Sequence, residues 1–234
     1  MTAALYLIPS GLGGIDFTTF LPEDTLRIIR SLSCFIVEDE KSARAFLKGC
    51  RITIPQADLR ISVLDKHNEQ QDTEPLLAPL REGYPIGLLS DAGCPGVADP
   101  GARVVSAAHR AGIEVIPMIG PSSLLLALMA SGLEGQRFCF HGYLPIDKGE
   151  RAKKIIRLEE SAVSRKETQL FIETPYRNNG LITDLLQQLR GDTRLCIAAD
   201  LTLPTQFIRT KKIKEWKKQV PDLHKRPAVF LLGV

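Results

Sequence analysis

Ser90-Asp91-Ala92-Gly93-Cys94-Pro95-Gly96-Val97-Ala98-Asp99-Pro100-Gly101 is the segment whose residue types and spacing point most clearly to chemistry. It follows a short apolar run, Pro85 to Leu89, and precedes helical spacing over Ala102 to Ala111. Three glycines and two prolines fix the course of such a loop, let its backbone approach a ligand, and leave N–H groups free to bond it. Strand, glycine-rich loop and helix together form the ligand-binding arrangement of open α/β sheets. An ordinary βα connection needs only ~2 to 6 residues, so a loop this long calls for another reason.

Proton transfer is the second chemistry on offer. His67-Asn68-Glu69 provides a base, an amide for positioning and an acid, in a polar stretch from Asp65 to Glu74 that follows a strand end. Composition alone reads this stretch as a solvated loop. Glu38-Asp39 ends the second apolar run and can either serve a reaction or cap the helix that starts near Lys41, where carboxylates favour the positive end of the helix dipole.

Ser10-Gly11-Leu12-Gly13-Gly14 carries part of a dinucleotide fingerprint, but its last position is Asp16 and no helix follows until about Pro22. No Gly-x-x-x-x-Gly-Lys-Ser/Thr occurs, so dehydrogenase and P-loop nucleotidase readings both lose ground.

The elements that must position these residues follow a regular rhythm. Apolar runs at Leu5 to Ile8, Cys34 to Val37, Ile61 to Leu64, Ile86 to Leu89 and Ile113 to Ile116 alternate with helical spacing, which predicts βα units and a mainly parallel sheet. Helix starts are expected at Pro22-Glu23-Asp24 and at Gly120-Pro121-Ser122-Ser123.

Beyond Gly132 the pattern changes to strands at Phe138 to Tyr143, Gln169 to Glu173, Leu195 to Ala199, Gln206 to Thr210 and Ala228 to Leu232, with helices near Arg151 to Glu160 and Asn179 to Leu189. The 206 to 232 part reads as an antiparallel pair joined by a helix. The fold class expected is α/β with two α/β domains, the first with a mainly parallel sheet and the second with a mixed one. They are taken as 1–118 and 119–234, with the boundary between about 117 and 137.

Length and composition agree. The chain has 234 residues, 44% hydrophobic and 24% charged, values of an ordinary globular protein with room for one large or two small cores. No apolar run reaches the ~20 residues of a membrane span, and the N-terminus lacks a signal-peptide pattern, so a cytoplasmic location is expected. Five scattered cysteines with no Cys-x-x-Cys pair argue against a disulfide framework and against a metal site.

The net charge of +3 says little, but basic residues cluster from Lys148 to Arg157 and again at Arg209, Lys211, Lys212, Lys214, Lys217 and Lys218. Each cluster is either a solvated face or a set of phosphate contacts for RNA. Ile213, Trp216 and Val220 lie at helical spacing, so Trp216 is expected to dock this helix.

The long loop, together with Gly120-Pro121-Ser122-Ser123, His67-Asn68-Glu69, Phe140-x-Gly142-Tyr143-Leu144-Pro145 and Glu173-Thr174-Pro175-Tyr176-Arg177, resembles the tetrapyrrole (corrin/porphyrin) methylase family over most of the chain. Glu38-Asp39 and His67-Asn68-Glu69 resemble the branch that 2′-O-methylates a ribose in small-subunit (16S) ribosomal RNA.

This resemblance implies two α/β domains, S-adenosylmethionine bound in the cleft between them, a homodimer, and ribosomal RNA or the small ribosomal subunit as partner. It assigns Pro9, Leu12, Asp91, Gly93, Cys94, Pro95, Gly96, Val97, Ala98, Ser122 and Ser123 to the cofactor, with Tyr143, Tyr176, Ala199 and Leu201 completing the pocket. It turns His67, Asn68 and Glu69 toward the acceptor, leaving Glu69, His67, Glu38 and Asp39 as candidate bases.

The chain departs from the branch at Gly13-Gly14, where an asparagine is usual, at Glu40 in place of threonine, at Asp200-Leu201-Thr202-Leu203 in place of Glu-Leu-Thr-Lys, and in lacking a C-terminal extension. A methyltransferase acting on a tetrapyrrole or other small molecule therefore remains an alternative. An inactive cofactor-binding module is another.

Overall fold

The computed structural model describes residues 3–14, 16–65, 68 and 70–233. The chain divides into two compact units, Met1–Ser122 and Ser123–Val234.

The first unit is built from βα repeats: β1 (Leu5–Ile8), α1 (Glu23–Ser31), β2 (Cys34–Val37), α2 (Glu40–Gly49), β3 (Arg60–Val63), the single turn α3 (Ala78–Arg81), β4 (Ile86–Leu89), α4 (Gly101–Arg110) and β5 (Val115–Pro117). Its five strands are all parallel, in the order β3-β2-β4-β1-β5. The central strands β2 and β4 are buried on both faces, which is why they read as unbroken apolar runs rather than as alternations.

Each face has its own core. Leu26 and Ile29 of α1 and Phe46 and Leu47 of α2 pack with Tyr6, Ile8, Phe35 and Val37. Leu80 of α3 and Val104 and Ala107 of α4 pack with Leu5, Ile36, Ile86 and Leu88. The chain thus leaves β1 and β2 over one face and β4 over the other. Adjacent strands whose connections part in this way leave a crevice at their C-terminal ends, the topological switch point where open α/β sheets bind ligands.

The second unit comprises α5 (Ser123–Ser131), β6 (Phe138–Tyr143), α6 (Lys148–Arg165), β7 (Thr168–Ile172), α7 (Asn178–Gln188), β8 (Arg194–Ala199), β9 (Phe207–Lys212), the single turn α8 (Ile213–Trp216) and β10 (Ala228–Gly233). Its sheet is mixed, in the order β6-β7-β10-β8-β9, with β6 and β7 parallel and the other pairs antiparallel. Residues of α6 and α7 (Ile155, Leu158, Leu181 and Leu185) pack on Phe171, Ile197 and Phe230.

Two expectations are corrected here. β9 and β10 do not pair with each other, because β8 lies between them and is antiparallel to both. The helix after β9 is a single turn that ends at Trp216, leaving Val220 outside it and half exposed. Trp216 itself is buried, and its indole Nε1–H donates to the Leu195 carbonyl at 2.9 Å.

Candidate active site

The C-terminal ends of β1, β2 and β4 are stitched together by hydrogen bonds that run from loop to loop. Ser10 donates its backbone N–H to the Gly93 carbonyl at 2.8 Å and its hydroxyl to the Ser90 carbonyl at 2.6 Å. Glu38 Oε1 accepts the backbone N–H of Asp91 at 3.0 Å, which ties the end of β2 to the start of the long loop. A cleft of about 360 Å³ opens between these loops, lined by Ser10 to Gly14, Phe17, Val37 to Asp39, Ser42, Ala43, Ala45, Phe46 and Leu89 to Ala92.

The lining is acidic. Glu38, Asp39 and Asp91 face the cleft, and no lysine, arginine or histidine is among its described lining residues.

Asp39 has a structural task as well: it is the N-cap of α2, and its Oδ1 accepts the Ser42 backbone N–H at 2.7 Å. Of the two readings open for the Glu38-Asp39 pair, capping is thus realised by Asp39, whereas Glu38 bonds across to the next loop.

The long loop is held from within by Asp99, whose Oδ1 accepts the N–H groups of Gly96 at 2.6 Å and Gly101 at 2.8 Å. Gly93 and Gly96 have φ of 74° and 81°, in the left-handed region that favours glycine, and Ala98 is held there too at 61°. Burial raises the Asp99 carboxyl above its usual range, against the lowering by its two N–H bonds. The Cys94 thiol is likewise raised by burial, and its Sγ donates to the Pro121 carbonyl at 3.5 Å. Cys94 thus meets the 120–122 stretch that the sequence assigned to the same site. The ring of Pro9 lies under that stretch, so close to Gly120 that a β-carbon there would stand 2.6 Å from Pro9 Cβ.

Of the acceptor-side motif, only Asn68 lies among the described residues; His67 and Glu69 fall outside them. The Asn68 carbonyl accepts from Arg103 Nη1 at 2.8 Å, and Arg103 Nη2 donates to the Asp65 carbonyl at 3.1 Å, so α4 ties Asp65 and Asn68 beyond β3. Asn68 is not among the lining residues of the cleft.

In the second unit β6, β7 and β8 run in the same direction, so their C-terminal ends share one edge of the sheet. Tyr143, Tyr176 and the Ala199 to Leu201 segment all lie along that edge. Tyr143 and Tyr176 are exposed, whereas Ala199 and Leu201 are buried. Asp200, with φ of 50°, accepts from Arg226 Nε at 2.7 Å. Ser123 is the first residue of α5.

Residues 4–217 match the tetrapyrrole (corrin/porphyrin) methylases. The chain belongs to this family. It is a methyltransferase.

Among curated relatives, the ribosomal RNA small subunit methyltransferase I of Vibrio cholerae is 33% identical over 211 residues, 90% of this chain and 69% of the relative. The protein of that name from Synechocystis is 36% identical over 198 residues, 85% of this chain and 67% of the relative. Among solved structures, that of the methyltransferase CobJ aligns with a TM-score of 0.61 at 16% identity, covering 98% of this chain and 93% of CobJ, a likeness of fold.

The basic cluster at 211–218 of this methylase is divided by its own contacts. Lys212 and Lys214 both reach Asp192 Oδ1, at 3.4 and 2.9 Å, and the Lys211 ammonium stands 4.9 Å from the centroid of the Trp216 ring. Lys217 and Lys218 are exposed. In the other cluster, Arg151 pairs with the buried Asp184 at 2.7 Å, a structural task for one of its cations. Among the described residues no helix is long and apolar enough to cross a membrane.

Sequence reasoning missed Ser42, Phe17 and Phe46 in the cleft wall, since none stands in a recognisable motif. It also missed Asp99 as the clamp of the long loop. The signal available for Asp99 was its place in Asp-Pro-Gly directly before α4, where a carboxylate can take up N–H groups at the helix start.

Proposed function

We propose that this methylase transfers a methyl group from S-adenosylmethionine to a ribose 2′-hydroxyl of small-subunit ribosomal RNA. The observation that carries the cofactor reading is the acidic cleft at the switch point. Three carboxylates and no described cation in its lining suit a ligand with a cationic centre and sugar hydroxyls, and disfavour a phosphate-bearing cofactor. The acceptor reading is supported by the relatives named as small-subunit ribosomal RNA methyltransferases and by the resemblance of the Glu38-Asp39 and His67-Asn68-Glu69 segments.

In this reading Leu12 and Asp91, which line the cleft, hold the cofactor in the first unit together with Pro9, Gly93 to Ala98 and Ser122, which stand beyond its lining. When bound, S-adenosylmethionine supplies a methyl group activated on a sulfonium. The chain's task is then to hold the acceptor oxygen in line, and positioning of this kind contributes up to ~7 to 11 kcal/mol.

The ribose hydroxyl must also lose its proton, and a base in hydrogen-bond reach adds ~10² to 10⁴-fold. Glu38 faces the cleft and is one such base, with His67 and Glu69 the others. Asp39, committed to the cap of α2, is the weakest of the four. Homodimerisation and a cytoplasmic location belong to the same proposal. The test is labelled methyl transfer to small-subunit particles made in the absence of this protein, with label expected on a ribose.

A further inference from the structure

The loop Asp222 to Arg226 packs against the start of α7 and, beside Tyr176, displays exposed His224 and Lys225, which neither the cofactor reading nor the basic clusters account for. Tyr176 is 71% exposed. The His224 ring meets it edge-on, with centroids 5.9 Å apart and planes at 76°, and the Lys225 ammonium stands 6.0 Å from its centroid. Both His224 and Lys225 are exposed as well.

What lies beneath this group is rigidly built. Asn179 accepts the Leu223 N–H at 2.8 Å and donates to Asp222 Oδ1 at 2.7 Å, and the same oxygen accepts the His224 N–H at 3.0 Å. Asn178, fully buried, donates to the Arg226 carbonyl at 2.6 Å. Lys225 donates its backbone N–H to the Pro175 carbonyl at 3.1 Å and is held at φ 62°, in the left-handed region that a residue with a β-carbon seldom adopts.

The side chains of Asn178, Asn179 and Asp222 are spent on holding the loop. Those of Tyr176, His224 and Lys225 are the ones it displays. The left-handed backbone at Lys225 fixes its side chain beside the exposed Tyr176 ring, so the cation and the aromatic face are presented together.

We infer that Tyr176, His224 and Lys225 form a stacking platform for an unpaired nucleotide of the RNA substrate. An aromatic face takes a base of any sequence, and a neighbouring ammonium and imidazole take the phosphate that travels with it. A paired base offers no free face, so the platform selects single-stranded RNA. The platform stands on the same sheet edge as Tyr143 and the Ala199 to Leu201 segment, because β10, which follows the loop, begins opposite Ala199. This inference rests on the RNA reading above and moves Tyr176 from the cofactor to the acceptor.

The test uses the full chain, a fluorescein-labelled single-stranded oligoribonucleotide of about 12 nucleotides and its duplex. Tyr176→Ala is expected to weaken single-strand binding about five- to a hundredfold, and Tyr176→Phe, which keeps the ring, to leave it near wild type. Lys225→Asn, which tolerates the left-handed backbone, should lower the slope of log affinity against log salt by ~0.7. Calorimetry with S-adenosylmethionine should give the same affinity for all variants, and thermal melting should exclude misfolding.

Tyr176→Ala that binds RNA as wild type does but loses cofactor affinity returns Tyr176 to the cofactor pocket and overturns the platform. Wild-type affinities for RNA and cofactor in every variant overturn it too. A wild-type chain that binds no RNA overturns the RNA reading itself, and the platform with it.

Discussion

Glu38 and Asp91, from the ends of β2 and β4, are joined by a hydrogen bond of 3.0 Å from the Asp91 backbone N–H to Glu38 Oε1, and both face the same acidic cleft. The carboxylate of Glu38 thus ties the start of the 90–101 loop to the end of β2 while facing the cleft, and in the proposed function it is a candidate base. Glu38→Gln keeps an acceptor for the Asp91 N–H and should bind S-adenosylmethionine nearly as wild type does. If Glu38 is the base, single-turnover methyl transfer in this variant falls ~10² to 10⁴-fold. Asp91→Ala should instead weaken cofactor binding by roughly 10- to 100-fold, the range for losing a hydrogen bond to a charged group. Calorimetry checks both, and unchanged affinity in a folded Asp91→Ala chain removes Asp91 from the site.

Gly11 is required by its surroundings rather than by its backbone. A β-carbon at this position would stand 2.3 Å from one carbon of the Phe17 ring and 2.6 Å from another. Phe17 is itself packed against Phe46, with ring centroids 4.8 Å apart, and has little room to yield. Gly11→Ala should therefore cost ~1 to 3 kcal/mol of stability, seen as a lower urea midpoint at an unchanged m-value. A midpoint equal to wild type would show that the Phe17 wall of the cleft is pliable.

His141 gives a pH signature to the second unit. Its Nε2 lies 2.7 Å from Gln169 Oε1 and its Nδ1 lies 3.3 Å from the Lys154 ammonium, so a neutral ring that donates through Nε2 and accepts at Nδ1 satisfies both partners. Burial lowers its pKa below 6.5, opposed by the Gln169 bond and assisted by Lys154. Because the folded value is the depressed one, the unfolded chain takes up the proton first. The stability contributed is present above pH 6.5 and is lost as pH falls through the folded value. Wild type should lose more stability than His141→Gln between about pH 7.5 and about pH 5.5, as read from urea midpoints. Parallel losses in the two proteins would contradict this assignment.

The lysines at 211–218 should differ in their effect on RNA. Lys212 and Lys214 already share Asp192, and Lys211 lies over Trp216, whereas Lys217 and Lys218 are exposed. Replacing Lys217 and Lys218 by glutamine should lower the salt slope of RNA binding by up to ~1.4, about 0.7 for each phosphate that is no longer neutralised. Replacing Lys212 and Lys214 should change it less. A wild-type slope in the first double variant would show that this face is only solvated.

Much of the first unit was legible in the sequence because its strands are buried on both faces. An apolar run such as Cys34–Val37 has one sensible place, between two layers of helix. The long loop was legible for a related reason: glycines at 93 and 96 are spent where φ is positive.

The second unit was less so. Whether β9 pairs with β10 depends on β8 lying between them, and no local pattern records that. The partition of the lysines depends on Asp192, and the shape of the 222–226 loop on Asn178 and Asn179, which reach it across long stretches of sequence. Glu38-Asp39 looked like one motif, yet the fold gives its two carboxylates different work.

The central claim is methyl transfer to ribose, and one measurement addresses it most directly. Small-subunit particles from cells lacking this protein are incubated with the full chain and S-adenosylmethionine labelled in the methyl group, and the label is mapped by nucleoside analysis. The account predicts label on a single 2′-O-methylated ribose, absent when Glu38→Gln and Asp91→Ala are combined. Label found only on a base, or only in a tetrapyrrole or other small molecule offered in parallel, would contradict it.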